Sequence, residues 1–321
     1  MLVVTEEACR RVIGRAEAFA AVEGVFAAMA RGAARNFPVL REALGHADAI
    51  YGVKSGFDAQ GLVLGLKSGG YWPGNAARGL TNHQSVVILF DPDSGRPTAM
   101  VGGNHLTAMR TAAAAAVSIA RLARADARVL GILGAGFQSA FQIRAALAQR
   151  PFERILAWNY HPEMLPRLAA AVADTGVPFE SVSLDALGAA ADVIITVTSS
   201  FAPQLMKAHV RPGTHLACMG TDTRGKQEVE PALLAAASVF TDEVAQAVSI
   251  GECQHAVAAG LLAEDAIIPL GAVVLGAHPG RRSEDEITLY DGTGIGLQDL
   301  AVAAVAARLA RAQGLATEVD W

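Results

Sequence analysis

Three basic residues occupy positions where their side chains could bind an anionic substrate. Lys67 lies in GLKSGGYWPGN, where glycines mark the change from a strand to a loop. Arg110 lies at the start of an alanine-rich helix predicted from Leu106 to Ala123, and a cation in the first turn opposes the helix dipole. That unfavourable position indicates that Arg110 is needed for an anion. Arg41, in FPVLRE, has the weakest signal, because such a residue is usually a surface charge.

Asp222 is the residue best placed to handle a proton. It lies in GTDTRGKQE directly after the predicted strand THLACMG, at the sheet edge where α/β proteins bind ligands. A carboxyl group there can transfer a proton if partial burial and a nearby cation adjust its pKa, or it can simply form a turn. The same stretch spells GxxxxGK from Gly220 to Lys226, but Gln227 replaces the Ser or Thr of a P-loop. We therefore discount a nucleotide triphosphatase.

His83, in LTNHQS, is a further polar residue that could face the substrate, or be a hydrogen-bonded structural histidine. The 8 histidines show neither an HExxH pattern nor the Cys and His spacing of a zinc site. We therefore predict no metal site.

A strand, a glycine turn and a helix form the element that must position a cofactor. Val129 to Leu133 is a short apolar run, Gly134 and Gly136 follow it, and a helix is predicted from Gln138. The glycines let the chain reverse and approach a pyrophosphate, and the helix start presents unpaired N–H groups to that anion. Ser139 replaces the third glycine of the usual fingerprint. The pattern predicts dinucleotide binding, with an ordinary strand-to-helix turn as the alternative.

The end of the next strand bears on which dinucleotide is bound. An acidic residue there usually contacts the adenosine ribose, but this strand ends with Asn159, which could still bond the ribose hydroxyls. Neither Arg nor Lys follows at once to bind the extra phosphate of NADP. We predict NAD, with NADP not excluded. Further along, the segment GTGIG from Gly292 to Gly296 gives backbone freedom either near a ligand or in a turn.

The order of predicted elements indicates an α/β protein with two domains. An amphipathic helix is predicted from Glu6 to Arg31, a β-rich region from Phe37 to Leu89, and a final helix from Leu297 to Gln313. Strands and helices alternate between them, as in a parallel sheet with helices on both faces. We predict a Rossmann-type dinucleotide-binding domain at 123–296, inserted in a β-rich α+β substrate-binding and dimerisation domain formed by 1–122 and 297–321.

Composition is that of an ordinary globular protein. Of 321 residues, 52% are hydrophobic and the net charge is −5, and no long basic block is present, so nucleic acid is not an expected partner. The 3 cysteines form no CxxC pair and are expected to be reduced thiols. Because no signal peptide or membrane segment is evident, a cytoplasmic protein is expected.

Taken together, the motifs resemble the ornithine cyclodeaminase/mu-crystallin family over nearly the whole chain. The matching motifs are GLKSGGYWPGN, LTAMRTAAAAA, LGILGAGFQSAFQ, ITVTSSFAP, GTDTRGKQE and LYDGTGIGLQDLA. The resemblance implies a homodimer formed by the first domain, a nicotinamide cofactor, and a small imino or amino acid as substrate. It implies that Arg41, Lys67 and Arg110 hold the substrate carboxylate and that Asp222 acts on the substrate nitrogen.

Where the family commonly has Leu-Pro-Thr, this chain has Leu80-Thr81-Asn82-His83, which makes the pocket more polar. The predicted catalytic residues are Lys67 and Asp222. The predicted substrate-binding residues are Arg41, Lys67, Asn82, His83 and Arg110. The predicted cofactor-binding residues are Arg110, Thr111, Gly134, Ala135, Gly136, Phe137, Gln138, Asn159, Thr198, Ser199, Met219, Gly220 and Gly292.

Within the family, the stretches MGTDTRGKQE, TNHQS and FTDEVAQAVSIGECQHAVAAG are most similar to the members that reduce iminosuccinate to L-aspartate. Asn82 and His83 suit such a substrate, because two carboxylates need more donors than one. The alternatives are ornithine cyclodeamination, an alanine dehydrogenase or ketimine reductase, and a mu-crystallin-like ligand-binding protein without catalysis. The presence of Asp222 argues against the last, since a binding protein does not need to move a proton.

Overall fold

The computed structural model describes residues 1–320. The strands are β1 (Leu2–Val4), β2 (Ala34–Asn36), β3 (Leu40–Ala43), β4 (Ile50–Asp58), β5 (Val63–Tyr71), β6 (His83–Phe90), β7 (Pro97–Gly102), β8 (Val129–Leu133), β9 (Arg154–Trp158), β10 (Phe179–Ser181), β11 (Val193–Thr196), β12 (Phe201–Leu205), β13 (His215–Cys218), β14 (Gln227–Val229), β15 (Ser238–Thr241), β16 (Ile268–Pro269), β17 (Thr288–Asp291) and β18 (Thr317–Glu318). The α-helices are α1 (Glu6–Val12), α2 (Arg15–Ala30), α3 (Asn104–Leu122), α4 (Ser139–Leu147), α5 (Leu165–Val172), α6 (Leu184–Ala190), α7 (Pro231–Ala235), α8 (Val244–Ala247), α9 (Cys253–Ala258), α10 (Leu270–Val274) and α11 (Gly296–Ala312).

The chain divides into two compact units. The first contains Met1–Arg110 and the segment from Ile295 onward, and the second contains Thr111–Gly294. The unit boundary thus lies within α3, whereas the sequence places a domain boundary after residue 122. The roles that the sequence suggests for the two domains stay predictions.

In the first unit, an eight-stranded sheet has the order β18-β1-β7-β6-β5-β4-β2, with β3 also paired to β4. Its pairings are antiparallel except that of β1 with β7. The final helix α11 packs on α2 and on strands β4 and β5, as expected of a helix that returns to the N-terminal region. Burial of α11 residues such as Leu300 and Ala303 against this sheet forms the core of the unit.

In the second unit, an eight-stranded parallel sheet has the order β10-β9-β8-β11-β13-β17-β15-β16. From β8 the chain first adds β9 and β10 on one side and then β11 and β13 on the other. The strand order therefore reverses beside β8, which is where doubly wound sheets bind ligands. The predicted Rossmann-type α/β architecture is confirmed, with β12 and β14 forming a separate small parallel pair.

The helix predicted from Glu6 to Arg31 is wrong as a single element. The chain is extended at Ile13 and Gly14, which separates α1 from α2. The carboxylate of Glu17 accepts a hydrogen bond of 3.0 Å from the backbone N–H of Gly14, and so begins a new helix. Local capping thus overrides the continuous apolar spacing.

The predicted start of α3 is also wrong, because the helix begins at Asn104. The carboxylate of Glu6 accepts hydrogen bonds from the backbone N–H groups of Asn104 (2.6 Å) and His105 (3.1 Å). A carboxylate from a distant part of the chain therefore satisfies the helix start. As a result Arg110 is the seventh helical residue, beyond the first turn, and the argument from the helix dipole does not apply to it.

Residues 1–320 contain neither a membrane-spanning helix nor a group of metal ligands. No helix there is both long enough and apolar enough to cross a membrane. Nor do any three His, Cys, Asp or Glu side chains in that part of the chain group in a way that could hold a metal ion.

Candidate functional site

A buried ion cluster joins two of the predicted substrate residues. Lys67 Nζ on β5 lies 2.8 Å from Asp299 Oδ2, and Arg110 Nε on α3 lies 3.0 Å from Asp299 Oδ1. Lys67 and Arg110 are each 6% exposed, and Asp299 is fully buried on α11. Arg110 also donates to Gln298 Oε1 at 3.3 Å, and Lys67 donates to Thr107 Oγ1 at 3.4 Å. Pairing with Asp299 explains how both cations are tolerated away from water.

The charges in this cluster change the pKa values of its members. Burial raises the pKa of Asp299, but Arg110 and Lys67 outweigh it and hold that pKa below its usual value. Burial lowers the pKa of Lys67 to about 8, against the attraction of Asp299 and helped by the charge of Arg110. Two cations share one carboxylate, so the cluster keeps a net positive charge that suits a substrate carboxylate.

Strand pairing brings Arg41 and His83 to the same sheet face as Lys67. Arg41 pairs with Gly52 across β3 and β4, and His83 pairs with Tyr71 across β5 and β6. Because alternate strand residues share a face, these side chains point to the face that carries Lys67. Burial and the charge of Lys67 lower the pKa of His83 to about 4, so its imidazole is neutral at pH 7. The structure thus places His83 as a neutral hydrogen-bonding group.

Asn82 directly precedes His83, and its side chain makes hydrogen bonds within the segment that joins β5 to β6. Its Nδ2 donates to the hydroxyl of Tyr71 at 3.1 Å, and its Oδ1 accepts from the backbone N–H of Ala76 at 3.0 Å. The second contact holds the short 3₁₀ turn Pro73–Arg78 that follows β5. Direct contact of Asn82 with a substrate carboxylate stays a prediction.

Asp299 is a central residue that the sequence reasoning missed. It lies in LYDGTGIGLQDLA, on the helix face that also buries Leu300 and Ala303. An acidic residue on the apolar face of a predicted helix was the available signal, because a buried carboxylate requires a partner. The partner could not be identified from sequence, since Asp299 lies 232 positions after Lys67.

The glycine turn of the second unit has the geometry that a pyrophosphate requires. Gly134 has a φ of +113°, and a Cβ there would lie 2.6 Å from the carbonyl oxygen of Val197. A Cβ on Gly136 would meet nothing within 4 Å, so the backbone is open on that side. Ser139, the first residue of α4, is fully buried, and its hydroxyl makes no hydrogen bond within residues 1–320. Open backbone beside an unsatisfied hydroxyl at a helix start fits a dinucleotide phosphate.

The other predicted cofactor residues follow neighbouring strands at one sheet edge. The last residues of β8, β11, β13 and β17 pair in register. The segments after these four strands therefore leave the sheet side by side. They carry Gly134, Ala135, Gly136, Phe137, Gln138, Thr198, Ser199, Met219, Gly220 and Gly292.

Two further predicted cofactor residues complete the set. Asn159 follows β9, whose last residue pairs with the last residue of β8, so it lies at the same sheet edge, and its Nδ2 donates to the carbonyl of His161 at 2.8 Å. Thr111 is buried within α3, directly after Arg110.

A buried carboxylate that the sequence reasoning missed connects two of these segments. Glu228 Oε1 accepts from the backbone N–H of Thr198 at 2.6 Å, and Oε2 accepts from that of Gly220 at 2.8 Å. Oε2 also accepts from the Thr196 hydroxyl at 2.7 Å. Burial nevertheless raises the pKa of Glu228 above its usual value. Glu228 thus fixes the distance between the segments that follow β11 and β13.

Glu252 holds the other side of the same loop. Its Oε1 accepts from the backbone N–H groups of Glu228 and Val229, both at 2.9 Å, and its Oε2 accepts from the Thr221 hydroxyl. Burial first, and the charge of Glu228 second, raise the pKa of Glu252 to about 8. The residue preceding Asp222 is therefore anchored to the protein interior.

Asp222 has the two features that the sequence argument required of a proton-handling group. Its carboxylate lies 2.9 Å from Lys226 Nζ, and its side chain is 31% exposed. Lys226 itself is followed directly by β14 rather than by a helix. The GxxxxGK stretch therefore lacks the helix of a P-loop as well as its hydroxyl residue.

The chain belongs to the ornithine cyclodeaminase/mu-crystallin family, which it matches over residues 2–313. It is 62% identical over 320 residues to the iminosuccinate reductase of Paracoccus denitrificans (strain Pd 1222), covering 100% of both chains. The crystal structure of the Paracoccus denitrificans iminosuccinate reductase in complex with NAD⁺ superposes with a TM-score of 0.96 at 61% identity, covering 100% of this chain and 99% of that one. An archaeal alanine dehydrogenase dimer with bound NAD gives a TM-score of 0.94 at 28% identity, covering 100% and 99%.

Proposed function

We propose that the protein is an NAD-dependent imine reductase that converts iminosuccinate to L-aspartate. The observation that carries the proposal is the buried cluster of Lys67, Asp299 and Arg110, whose surplus positive charge suits a carboxylate. The 62% identity to an iminosuccinate reductase over full length supports the choice of substrate. The solved relatives with bound NAD support NADH as the reductant, and we place the protein in the cytoplasm.

Lys67 and Arg110 bind and orient the substrate in this proposal. Their pairing with Asp299 holds both side chains in one geometry before substrate arrives, which lowers the entropic cost of binding. Arg41 approaches the carboxylates from β3, on the same sheet face. His83 remains neutral and contributes a hydrogen bond rather than a charge.

The reduction adds one hydride to the imine carbon and one proton to the nitrogen, so that the C=N bond becomes C–N. When bound, NADH supplies the hydride. Gly134, Gly136 and Ser139 would hold its pyrophosphate at the start of α4. The segments after β11, β13 and β17 would hold the rest of the coenzyme.

Asp222 is the proposed proton donor to the nitrogen. Lys226 at 2.9 Å stabilises the carboxylate that remains after the proton leaves. In the reverse direction the same carboxylate accepts a proton from the amine. Replacement of Asp222 by Asn tests this role: turnover should be lost while NADH binding, measured by fluorescence titration, is retained.

Alanine dehydrogenase is the second candidate function, because the archaeal alanine dehydrogenase structure also superposes over the full chain. A single assay separates the candidates. Purified protein is given NADH or NADPH with oxaloacetate plus ammonium, with pyruvate plus ammonium, or with a cyclic ketimine, and coenzyme oxidation is followed. We expect the highest kcat/KM with oxaloacetate plus ammonium and NADH. Absence of oxidation with every imine would contradict the reductase function.

We also propose that the protein is a homodimer formed by the first unit. The sheet face opposite α11 carries apolar side chains that remain partly exposed in the chain by itself. They are Val53, Phe57, Leu64, Leu66, Val86, Ile88, Phe90 and Met100. A face of this kind is suited to a second copy of the chain, because burying it removes apolar surface from water.

A further inference from the structure

An amide side chain lies beside the glycine turn of the second unit. The last residues of β8 and β9, Leu133 and Trp158, pair in register, and the backbone N–H of Gly134 donates to the carbonyl of Trp158 at 3.0 Å. Asn159 therefore leaves the sheet next to the turn, where Rossmann-type proteins contact the adenosine ribose. A carboxylate is usual at this place, so the question is what an amide does there instead.

The contacts of Asn159 fix which end of its amide is presented to a ligand. An asparagine can offer an oxygen, which accepts a hydrogen bond, or an N–H₂ group, which donates. Here Nδ2 donates to the carbonyl of His161 at 2.8 Å and lies 3.6 Å from Sδ of Met164. Both contacts are made by Nδ2, so Oδ1 is the atom left to a ligand.

The loop that holds this amide is short and closed. The His161 carbonyl also accepts from the backbone N–H of Met164 at 3.1 Å, across the 3₁₀ turn Pro162–Met164. If the amide turned over, Oδ1 of Asn159 would face the His161 carbonyl oxygen, and two acceptors would meet without a proton between them. The loop therefore imposes the orientation of the amide before any coenzyme binds.

The rest of the segment does not favour an additional phosphate. Residues 159–166 include neither Lys nor Arg, the usual partners of the 2′-phosphate of NADP. The imidazole of His161 already lies with Nδ1 3.4 Å from Oε1 of Glu163. Glu163 itself adds a negative charge to the segment. A phosphate there would be anionic beside acceptors, whereas a ribose hydroxyl can donate to Oδ1.

We propose that Asn159 selects NAD over NADP by presenting Oδ1 to the 2′-hydroxyl of the adenosine ribose. Because its own loop takes Nδ2, the amide acts at this position as a carboxylate does elsewhere. An acceptor stabilises the hydroxyl of NAD and repels the 2′-phosphate of NADP. The proposal rests on the coenzyme of the proposed function and not on its substrate, so that binding measurements alone can test it.

The test compares Asn159→Asp, which has the same shape and two acceptors, with Asn159→Ala. Fluorescence titration gives the Kd for NADH and for NADPH. Asn159→Ala should raise the Kd for NADH about tenfold and leave that for NADPH little altered, so that the preference falls by this factor. Asn159→Asp should keep or increase the preference. His161→Ala is the control, because it removes the imidazole but leaves the carbonyl that holds Nδ2, and it should not lower the preference.

Equal losses of NADH affinity in Asn159→Asp and Asn159→Ala would mean that Nδ2 is the contacting atom, and would overturn the proposal. A wild-type protein that binds NADPH as tightly as NADH would also overturn it. Displacement of NADH by adenosine 5′-phosphate and by adenosine 2′,5′-bisphosphate repeats the comparison on fragments: wild type should prefer the first, and the difference should shrink in Asn159→Ala. A protein that binds NADH with this preference but reduces no imine would contradict the proposed function and leave the role of Asn159 intact.

Discussion

At the scale of single residues, the buried carboxylate of Asp299 compensates the charges of Lys67 and Arg110. It contacts Lys67 at 2.8 Å and Arg110 at 3.0 Å, and all three side chains are almost fully removed from water. Without Asp299, two buried cations would face each other with no compensating charge. Asp299 therefore stabilises both buried cations, and the positive charge that remains is what we propose a substrate carboxylate binds.

Replacement of Asp299 by Asn should destabilise the protein by about 3–5 kcal/mol, because it leaves two buried cations without an anion. The free energy of unfolding in urea measures the effect. Asp126→Asn serves as control, since Asp126 is 72% exposed and its contact with Arg124 is a surface ion pair. The control should lose less than about 1 kcal/mol. Equal losses in the two variants would contradict the assigned importance of Asp299.

The rate of the reaction should fall at alkaline pH because of Lys67. Burial lowers its pKa from 10.5 to about 8, so the ammonium is charged below that pH and neutral above it. The positive charge that we propose binds the carboxylate is thus lost as the pH rises through about 8, and kcat/KM should decline there. Steady-state kinetics between about pH 6 and 9.5 measure the decline in kcat/KM. An ordinary lysine, with a pKa of ~10.4, would stay charged over this range.

The matched variant for this pH effect is Lys67→Arg. A guanidinium stays charged throughout that pH range, so whatever activity the variant retains should show no decline near pH 8. If kcat/KM declines near pH 8 in both the wild type and the variant, the titrating group is not Lys67.

At the scale of elements, the ends of the parallel strands are held in place by buried carboxylates. Glu228 joins the segments after β11 and β13 through the N–H groups of Thr198 and Gly220. Glu252, at the start of α9, fixes the Thr221 hydroxyl and the backbone at Glu228 and Val229. These contacts lie one residue from Asp222 and within the predicted cofactor segments. We therefore propose Glu228 and Glu252 as positioning residues.

Replacement of Glu228 by Gln should weaken NADH binding about tenfold. The carboxylate now accepts hydrogen bonds from the Thr196 hydroxyl and from the N–H groups of Thr198 and Gly220, and the N–H₂ group of a glutamine would face some of these donors instead of accepting from them. Fluorescence titration gives the Kd, and kinetics should show a larger change in the KM for NADH than in kcat at saturating NADH. Glu230→Gln is the control, because the Glu230 carboxylate accepts from the backbone N–H of Lys207, which lies outside the predicted cofactor segments. If Glu228→Gln lowers the melting temperature but leaves the affinity for NADH unaltered, the role of Glu228 is structural alone.

At the scale of the whole molecule, each unit has its own sheet, and the two sheets differ in kind. The mainly antiparallel sheet of the first unit buries one face under α11 and leaves apolar side chains on the other. The parallel sheet of the second unit is buried along its central strands, as parallel sheets with helical connections are. This difference is the reason why we propose assembly through the first unit.

Analytical ultracentrifugation should show a dimer for the wild-type protein and a monomer for Ile88→Glu. Ile88 pairs with Met100 on the partly exposed face, and a carboxylate there would be buried without a partner in the dimer. Glu153→Gln, at a residue of the second unit whose side chain is 72% exposed, should leave the dimer intact. A monomeric wild type, or a dimeric Ile88→Glu, would contradict assembly through this face.

Local patterns were enough to predict the strand, glycine turn and helix from Val129 onward, the β-rich region and the final helix. These depend on spacing of apolar residues and on glycine, both of which act within a few residues. The sequence also suggested Lys67, Arg110 and Asp222 as a set, through motifs that are themselves local. It failed at the break after Val12 and at the start of α3, where Glu17 and Glu6 cap the backbone.

Only the tertiary structure decided which charges meet. Asp299 contacts Lys67, which lies 232 positions earlier in the sequence, and Lys54 faces Lys67 because of the register of β4 and β5. Pairing of buried charges depends on position in three dimensions, since a carboxylate and its cations are close in space while distant in sequence. Apolar spacing and turn residues fix the elements, whereas packing of α11 against β4 and β5 creates the electrostatic site.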